Sequence, residues 1–380
     1  MKNKFFLIEP SKVANQHITL IEGFLKAIKL SQRIQDKFDI TFYASDATYR
    51  WLPNNIFSQI NCKKIFVMDS KKRWLILKTL VEVFQVLSLF RKIKKNDFVI
   101  VTCLLPTSLL IIEFTNIFFK KKLHVVLHGE IEGIFNQSQN KFKSIGYWSS
   151  AWIKYRPNDS LIKLIVLDDF IKERLVQYVP VKLSVNDIYV LHHPISNFIP
   201  INQDHNYPIK KPNICFIGFR TMNKGYESFV KMSKMCPEYN FLAIGDNKVE
   251  FLGDNSIEHV NSEKGFLENI SICDVAIFPY IGGYSCSLSA AAMDALSLGI
   301  PILALELPFF INLEKYFGVD VVKTFPSADD LLIELKNYNF ESSAKRKSKR
   351  LEALNNSKFS LELISQSFEE LLFEKNGEIS

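Results

Sequence analysis

The sequence predicts an α/β protein built of two Rossmann-like, doubly wound domains facing a central cleft. Three observations carry this. Short β-rich apolar runs alternate with helical patterns nearly throughout, the signature of parallel sheets covered on both faces. A chain of 380 residues is too long for one ordinary core. Residues 194–212, PISNFIPINQDHNYPIKKP, hold four prolines and little periodicity, a linker composition after which the alternation restarts. The expected organisation is a domain over 1–195, a linker over 196–212, a second domain over 213–355, and a C-terminal helical segment, 356–380, able to pack back on the first domain.

In order, the first half reads as strands at Phe5–Glu9, Ile40–Ala44, Lys64–Met68, Phe98–Thr102, His124–Leu127, Lys163–Leu167 and Ile188–Leu191. Helical patterns fall near 17–32, 73–94, 107–120 and 168–178, and Asn15 is placed to help cap the first of them. The start, MKNKFFLIEPSK, has too short an apolar run for a signal peptide and no small-residue cleavage site, so it reads as the first strand. Residues 130–160 are polar and aromatic without clear period and read as an irregular excursion. After the linker come strands at Ile214–Ile217, Phe241–Ile244, Ile257–Val260, Val275–Phe278 and Ile302–Leu305, with helices near 225–235, after the 282–283 turn, at 328–337 and at 357–374.

Hydrophobic content of 47% against 23% charged residues is globular and excludes wholesale disorder. The net charge of +7 suits an anionic ligand or an anionic membrane surface better than nucleic acid. The six cysteines form no C-x-x-C pair and lie mostly in apolar contexts, so they read as reduced core thiols of a cytoplasmic protein. Lys78, Glu82 and Glu113 interrupt the two longest apolar windows, which excludes a transmembrane helix. The basic, apolar stretch 74–95 and the FFKKK end of 107–122 suit peripheral contact with an anionic membrane, or a core-facing helix with a solvated basic end.

The most informative stretch is 274–301, DVAIFPYIGGYSCSLSAAAMDALSLGIP: a buried strand, a Gly282-Gly283 turn, then a helix opening in Ser and Ala. Glycine turns before helix starts present bare N–H groups to anions, so Gly283, Ser285 and Ser287 are candidate phosphate contacts. An ordinary βα crossover turn has the same pattern. The second half also opens with a strand ending at Gly218, followed by Arg220 and Lys224 in the loop before the next helix. Two cations beside one anion-receptive turn is what a departing diphosphate needs; two solvated loop charges is the plainer alternative.

GFRTMNKG (218–225), ICDVAIFPY (272–280) and MDALSLGIP (293–301), in that order and spacing, resemble the nucleotide-binding domain of GT-B glycosyltransferases. The similarity is to the large retaining family that builds bacterial lipopolysaccharide, O-antigen and capsule, and it covers about residues 213–305. The resemblance implies donor diphosphate binding by Gly218, Arg220 and Lys224 with Gly283, Ser285 and Ser287. The family's first motif runs G-R-L-x-x-x-K-G; Lys224 and Gly225 match it, while Phe219 stands at the arginine position and Arg220 one place later. Its paired glutamates, E-x(7)-E, are Cys286 and Asp294 here, which implies ribose contact by Asp294 and an altered sugar contact at Cys286. It further implies a nucleotide-sugar-binding second domain and an acceptor-binding first domain.

In that first domain His128 closes an apolar strand as VVLHGE, where relatives keep a polar residue facing the sugar; it is the candidate catalytic residue, with Glu130 beside it. His17, in the loop opening the first helix, and His193, near the linker, are candidate acceptor or cleft-lining residues. Structural packing is the alternative for each histidine. No His/Cys/Asp/Glu group has metal-ligand spacing and no D-x-D lies at a strand end, so the expectation is no metal and no cofactor beyond the nucleoside-diphosphate sugar itself. The expected activity is transfer of a sugar to a glycan or polyprenyl-linked acceptor in surface polysaccharide synthesis, by a cytoplasmic or membrane-peripheral enzyme. Alternatives are a nucleotide-sugar 2-epimerase of the same fold and a catalytically degenerate subunit that binds sugar nucleotide.

Overall fold

The computed structural model describes residues 2–13, 17–68, 75–135, 145–179, 183–195, 211–245, 257–260 and 266–373. The chain divides into two compact units: Met1–Pro194 with Cys286–Leu288 and Lys358–Ser380, and Ile195–Ser285 with Ser289–Ser357. Most of the expected linker (196–210) and the proposed cap Asn15 lie outside the described residues.

The first unit holds a parallel sheet of seven strands: β1 (Asn3–Ile8), β2 (Phe38–Ala44), β3 (Asn61–Lys64), β4 (Phe98–Val101), β5 (Leu123–Val126), β6 (Ile162–Val166) and β7 (Ile188–Val190), in the order β3-β2-β1-β4-β5-β6-β7. Phe5, Phe6, Leu7 and Ile8 are all buried because helices cover both faces of the central strand, which is why the run is apolar without alternation. The helix Leu361–Phe373 packs on the helix Ile18–Leu30, with Phe368 edge-on to Phe24 and Phe5. β1 lies between β2 and β4, so the chain winds outward on both sides of it and the order reverses at the β1/β4 boundary.

The second unit repeats the plan with six strands: β8 (Asn213–Ile217), β9 (Asn240–Ile244), β10 (Ile257–Val260), β11 (Val275–Phe278), β12 (Ile302–Leu305) and β13 (Val322–Phe325). Their order is β10-β9-β8-β11-β12-β13, all parallel, with the reversal between β8 and β11. In doubly wound sheets ligands bind beyond the carboxyl ends of the strands at such a reversal. The loops after β1, β4, β8 and β11 are therefore the ones to read for chemistry.

Several expectations need correction. The third strand pairs earlier than Lys64–Met68: β3 is the exposed, polar NCKK segment, held at the sheet edge by backbone bonding and not by side-chain burial. The stretch 130–160 is not irregular throughout. It contains the helices Glu132–Phe135 and Ile145–Tyr155, which approach so closely that a Cβ on Gly133 would lie 2.1 Å from the Gly146 Cα. The helix Pro308–Phe317, which buries Phe309, Phe310 and Leu313, and β13 add to the elements expected from the sequence.

The cysteine reading also changes, because Cys215 and Cys273 are disulfide-bonded. Ala276 is the register partner of Cys215, and Cys273 lies just before β11, so sheet pairing brings together thiols 58 residues apart. Cys62, Cys103, Cys236 and Cys286 are free. Among the described residues no helix is long and apolar enough to cross a membrane.

Candidate functional site

In the second unit the loops after β8 and β11 are locked to each other. Gly225 has φ +64°, and a Cβ there would fall 1.7 Å from the Pro279 carbonyl oxygen, so only glycine fits this crossing. The Ile281 N–H donates to the Asn223 carbonyl at 3.0 Å, joining the same two loops. Residues Gly218, Arg220, Lys224, Gly283 and Ser285, far apart in sequence, thereby share one strand-end edge.

Lys224 closes a short 3-10 turn, Met222–Lys224, and its Nζ lies 2.8 Å from where a Gly218 Cβ would stand. The ammonium sits 5.2 Å from the Tyr280 ring centroid and 5.8 Å from that of Phe219. Among the described residues no carboxylate pairs with it, and burial lowers its pKa to about 8. Arg220 is only 2% exposed, and among the described residues its Nε and Nη2 have no hydrogen-bond partner. A buried guanidinium with orphaned donors is costly unless an anion completes it.

Beyond β11 the helix runs Ala290–Ser297 with Ser289 as its N-cap, accepting from the Ala292 N–H, so residues 283–287 form a turn ahead of the helix. Gly283 is left-handed, at φ +78°, and nothing lies within 4 Å of a Cβ built there or on Gly282. No protein acceptor meets the Gly283 or Ser285 N–H among the described residues.

Ser287 and Cys286 are placed otherwise than expected. Both cluster with the first unit. There the Cys286 N–H (2.6 Å) and the Ser287 hydroxyl (2.8 Å) donate to one carboxylate oxygen of Glu132. This segment accepts an anionic oxygen, but its donors are spent on Glu132. The Cys286 thiol is fully buried against the Ile171 carbonyl at 3.7 Å, so it presents no group to a sugar. Asp294, in the second turn of the helix, is buried.

In the first unit the loops after β1, β4 and β5 converge. Glu9 follows β1 fully buried and accepts from the N–H groups of Ser11 (3.0 Å) and Lys12 (2.9 Å) and the Thr102 hydroxyl (2.7 Å), with His17 Nδ1 at 3.4 Å. Burial alone would raise its pKa, but His17, Thr102 and the Lys12 amide together hold it below the usual carboxylate value. His17 caps the helix Ile18–Leu30 in the left-handed region, φ 61°, and stacks on His128 at 4.2 Å.

His128 Nε2 donates to the Thr102 carbonyl at 2.7 Å. Burial first, then the neighbouring His17, lowers its pKa to about 3, so the ring is neutral near pH 7. Glu130 pairs with Lys12 at 3.3 Å and accepts from the Cys103 thiol at 3.3 Å. Against the effect of burial, Lys12 and then His128 hold the Glu130 carboxyl at about 2. His193 is the exception among the candidates of this unit: it is buried, with Nδ1 donating to the adjacent Pro194 carbonyl at 2.9 Å, which is the turn-packing role.

The fold thus brings together His17, His128 and Glu130 in one unit and Gly218, Arg220, Lys224, Gly283 and Ser285 in the other. Sequence reading passed over Glu9, Lys12, Thr102, Cys103 and Glu132. A signal for Glu9 was present, since it closes an apolar strand as His128 does.

Two parallel sheets, each with its strand order reversing next to its first strand, and a glycine–cation loop at the second reversal define the fold class: this is the GT-B glycosyltransferase fold. The chain is similar in structure to a sucrose-phosphate synthase from Thermosynechococcus elongatus, with TM-score 0.69 and 13% identity over 100% of both chains. It is similar to Anabaena HepE solved with UDP and glucose, TM-score 0.65 and 11% identity over 97% of this chain and 99% of that one. A Rickettsia africae glycosyltransferase gives TM-score 0.61 and 14% identity over 100% of both. No family model and no curated protein sequence matches the chain.

Proposed function

We propose that the protein is a glycosyltransferase that moves a sugar from a nucleoside-diphosphate donor, with retention of anomeric configuration and without a metal at the diphosphate. Arg220 carries this reading: a buried guanidinium with two unpartnered nitrogens, in one loop with a lysine that has no counter-ion among the described residues. Charge-assisted bonds from Arg220 and Lys224, with the Gly283 and Ser285 amides, hold the diphosphate and stabilise the charge that grows on it as the sugar departs. Gly218 keeps the space in which the Lys224 ammonium lies, and Asp294 serves the ribose. HepE, which shares the fold, was solved with UDP-glucose, and this supports a nucleotide-sugar donor.

In the first unit, neutral His128 orients the sugar or acceptor hydroxyl, with Nε2 fixed on the Thr102 carbonyl. His17 and Glu130 line the acceptor side. The acceptor is a glycan or polyprenyl-linked glycan of a bacterial surface polysaccharide, reached by peripheral contact with the inner face of the membrane. Two stripes support that contact: Ile76, Leu80 and Phe84 on the helix Leu75–Phe90, and Ile111, Phe114 and Phe118 on the adjoining helix Pro106–Phe119, all exposed, with Lys120, Lys121 and Lys122 following the second. Apolar stripes beside lysines are what anionic bilayers bind.

The decisive experiment is donor hydrolysis and transfer across a panel of nucleotide sugars, paired with calorimetric titration by UDP and GDP. Turnover of at least one donor is expected; nucleotide binding without turnover of any would leave a degenerate subunit instead. Sedimentation with anionic but not zwitterionic vesicles, reduced in Phe84→Ser/Phe118→Ser, tests the membrane contact.

A further inference from the structure

The geometry points to an unassigned anion site in the first unit: an open cavity on one face of β1, β2 and β3 takes a soluble phosphate ester carrying at least two negative charges. The cavity measures about 660 Å³, within the roughly 300–1,000 Å³ of small-molecule sites. Lys4 of β1, Lys63 of β3, and Arg91, Lys92 and Lys94 from the segment entering β4 line it, five cations against the single carboxylate of Asp39.

Sheet register produces this convergence. Lys4 pairs with Asp39, Phe6 with Thr41, Thr41 with Asn61 and Tyr43 with Lys63. Register partners in a parallel sheet share a face, and alternate residues point the other way. Phe5, Leu7, Ile40 and Phe42 therefore enter the apolar core on the opposite side. The helix Leu75–Phe90 delivers Arg91 and Lys92 at its C-terminal end.

The second observation is unspent hydrogen bonding in the wall. Thr41 and Tyr43 are 5% and 7% exposed and line the cavity, yet among the described residues neither hydroxyl has a hydrogen-bond partner. Burial raises the Tyr43 pKa, so its hydroxyl stays protonated and able to donate. Hydroxyls held this deep cost free energy unless water or a ligand meets them. The five cations form no ion pair among the described residues. The buried Asp97 carboxylate beside them is occupied by the backbone N–H groups of Lys4 at 2.9 Å and Lys94 at 2.8 Å.

The charge balance selects the ligand class. One exposed lysine holds an anion weakly, but several around a concave surface sum their fields. A single carboxylate would leave most of these cations unmatched, whereas a bisphosphate or diphosphate engages them from both sides. Thr41, Tyr43 and Asn61 then meet phosphoryl and hydroxyl oxygens of the ester. A lipid headgroup fits less well, because the exposed apolar positions Ile76, Leu80 and Phe84 end about two turns before Arg91. No lining residue lies in the loops that hold His128, Arg220 or Lys224, so the site stands independently of the donor reading.

The test is calorimetric titration of the full-length Arg220→Leu chain, in which the other unpaired anion site is disabled, with fructose 1,6-bisphosphate and inorganic pyrophosphate. One equivalent of the bisphosphate binds, more weakly as NaCl is raised. Lys63→Glu/Lys92→Glu, at exposed positions, lowers that affinity at least about tenfold. Thr41→Val lowers it about 3–10-fold through the lost hydroxyl. Lys64→Gln, whose lysine pairs with Asp46, leaves it unchanged. Absence of binding by both probes, affinity that survives Lys63→Glu/Lys92→Glu, or binding to phosphatidylglycerol vesicles alone overturns the site. Should Arg220→Leu not fold by circular dichroism, wild type decides: an equivalent lost in Lys63→Glu/Lys92→Glu must be present. Failure of the donor reading looks different, as a wild type that ignores UDP and GDP but keeps this equivalent.

Discussion

At the strand-order reversal of the seven-stranded sheet, charge meets counter-charge: Glu9 is satisfied by His17, Thr102 and two amides, and Lys12 pairs with Glu130. At the reversal of the six-stranded sheet, Arg220 and Lys224 meet no carboxylate among the described residues, and the Gly283 and Ser285 amides meet no acceptor. The same topological position is thus used in two ways. One is self-neutralised before any ligand arrives; the other carries electrostatic cost that an anion relieves.

Four perturbations break or sharpen this contrast. Arg220→Leu should have the largest effect, since it removes a deeply buried charge with no counter-ion among the described residues. UDP or GDP affinity should fall by about 100-fold, while the free protein gains about 1–3 kcal/mol in urea denaturation. Binding loss with stability gain is the mark of an uncompensated site, and a stability loss would refute it. Lys224→Ala should lower kcat/KM by at least about tenfold, the cost of one charged contact to the departing diphosphate. An unchanged kcat/KM removes Lys224 from the site.

On the compensated side, Glu9→Gln should cost about 1–3 kcal/mol of stability through its charged hydrogen bonds, without changing nucleotide affinity. The smallest effect is in pH. A lysine titrating at about 8 is charged below that value and neutral above it. Because the diphosphate favours the ammonium form, nucleotide affinity should weaken as pH rises past 8 in wild type, by at most about tenfold per unit. Isothermal titration from pH 7 to 9 should show this inflection, and Lys224→Ala should lack it.

Much of the second unit was legible in the sequence because its signals are local. An apolar run such as Val275–Phe278 is buried on both faces whatever surrounds it, and a glycine turn between such a strand and a helix needs no distant partner. The helix after that turn opens in Ser and Ala as expected, at Ser289 and Ala290, because the Ser289 hydroxyl accepts from the Ala292 N–H. The edge strand β3 was misplaced because nothing in NCKK announces pairing, which comes from the backbone of β2.

By itself the sequence determined the fold class, the position of nearly every central strand, and the identity of the cations after β8, because burial pattern and strand-end chemistry are written in neighbouring residues. Tertiary structure alone decided the Cys215–Cys273 bond, the Glu132 carboxylate on the Cys286 amide, and the convergence of His17, Cys103 and His128. Each of these joins residues from separate segments of the chain. Their separation along the chain carries no spacing rule, since sheet order and register, not sequence distance, set which strand ends become neighbours.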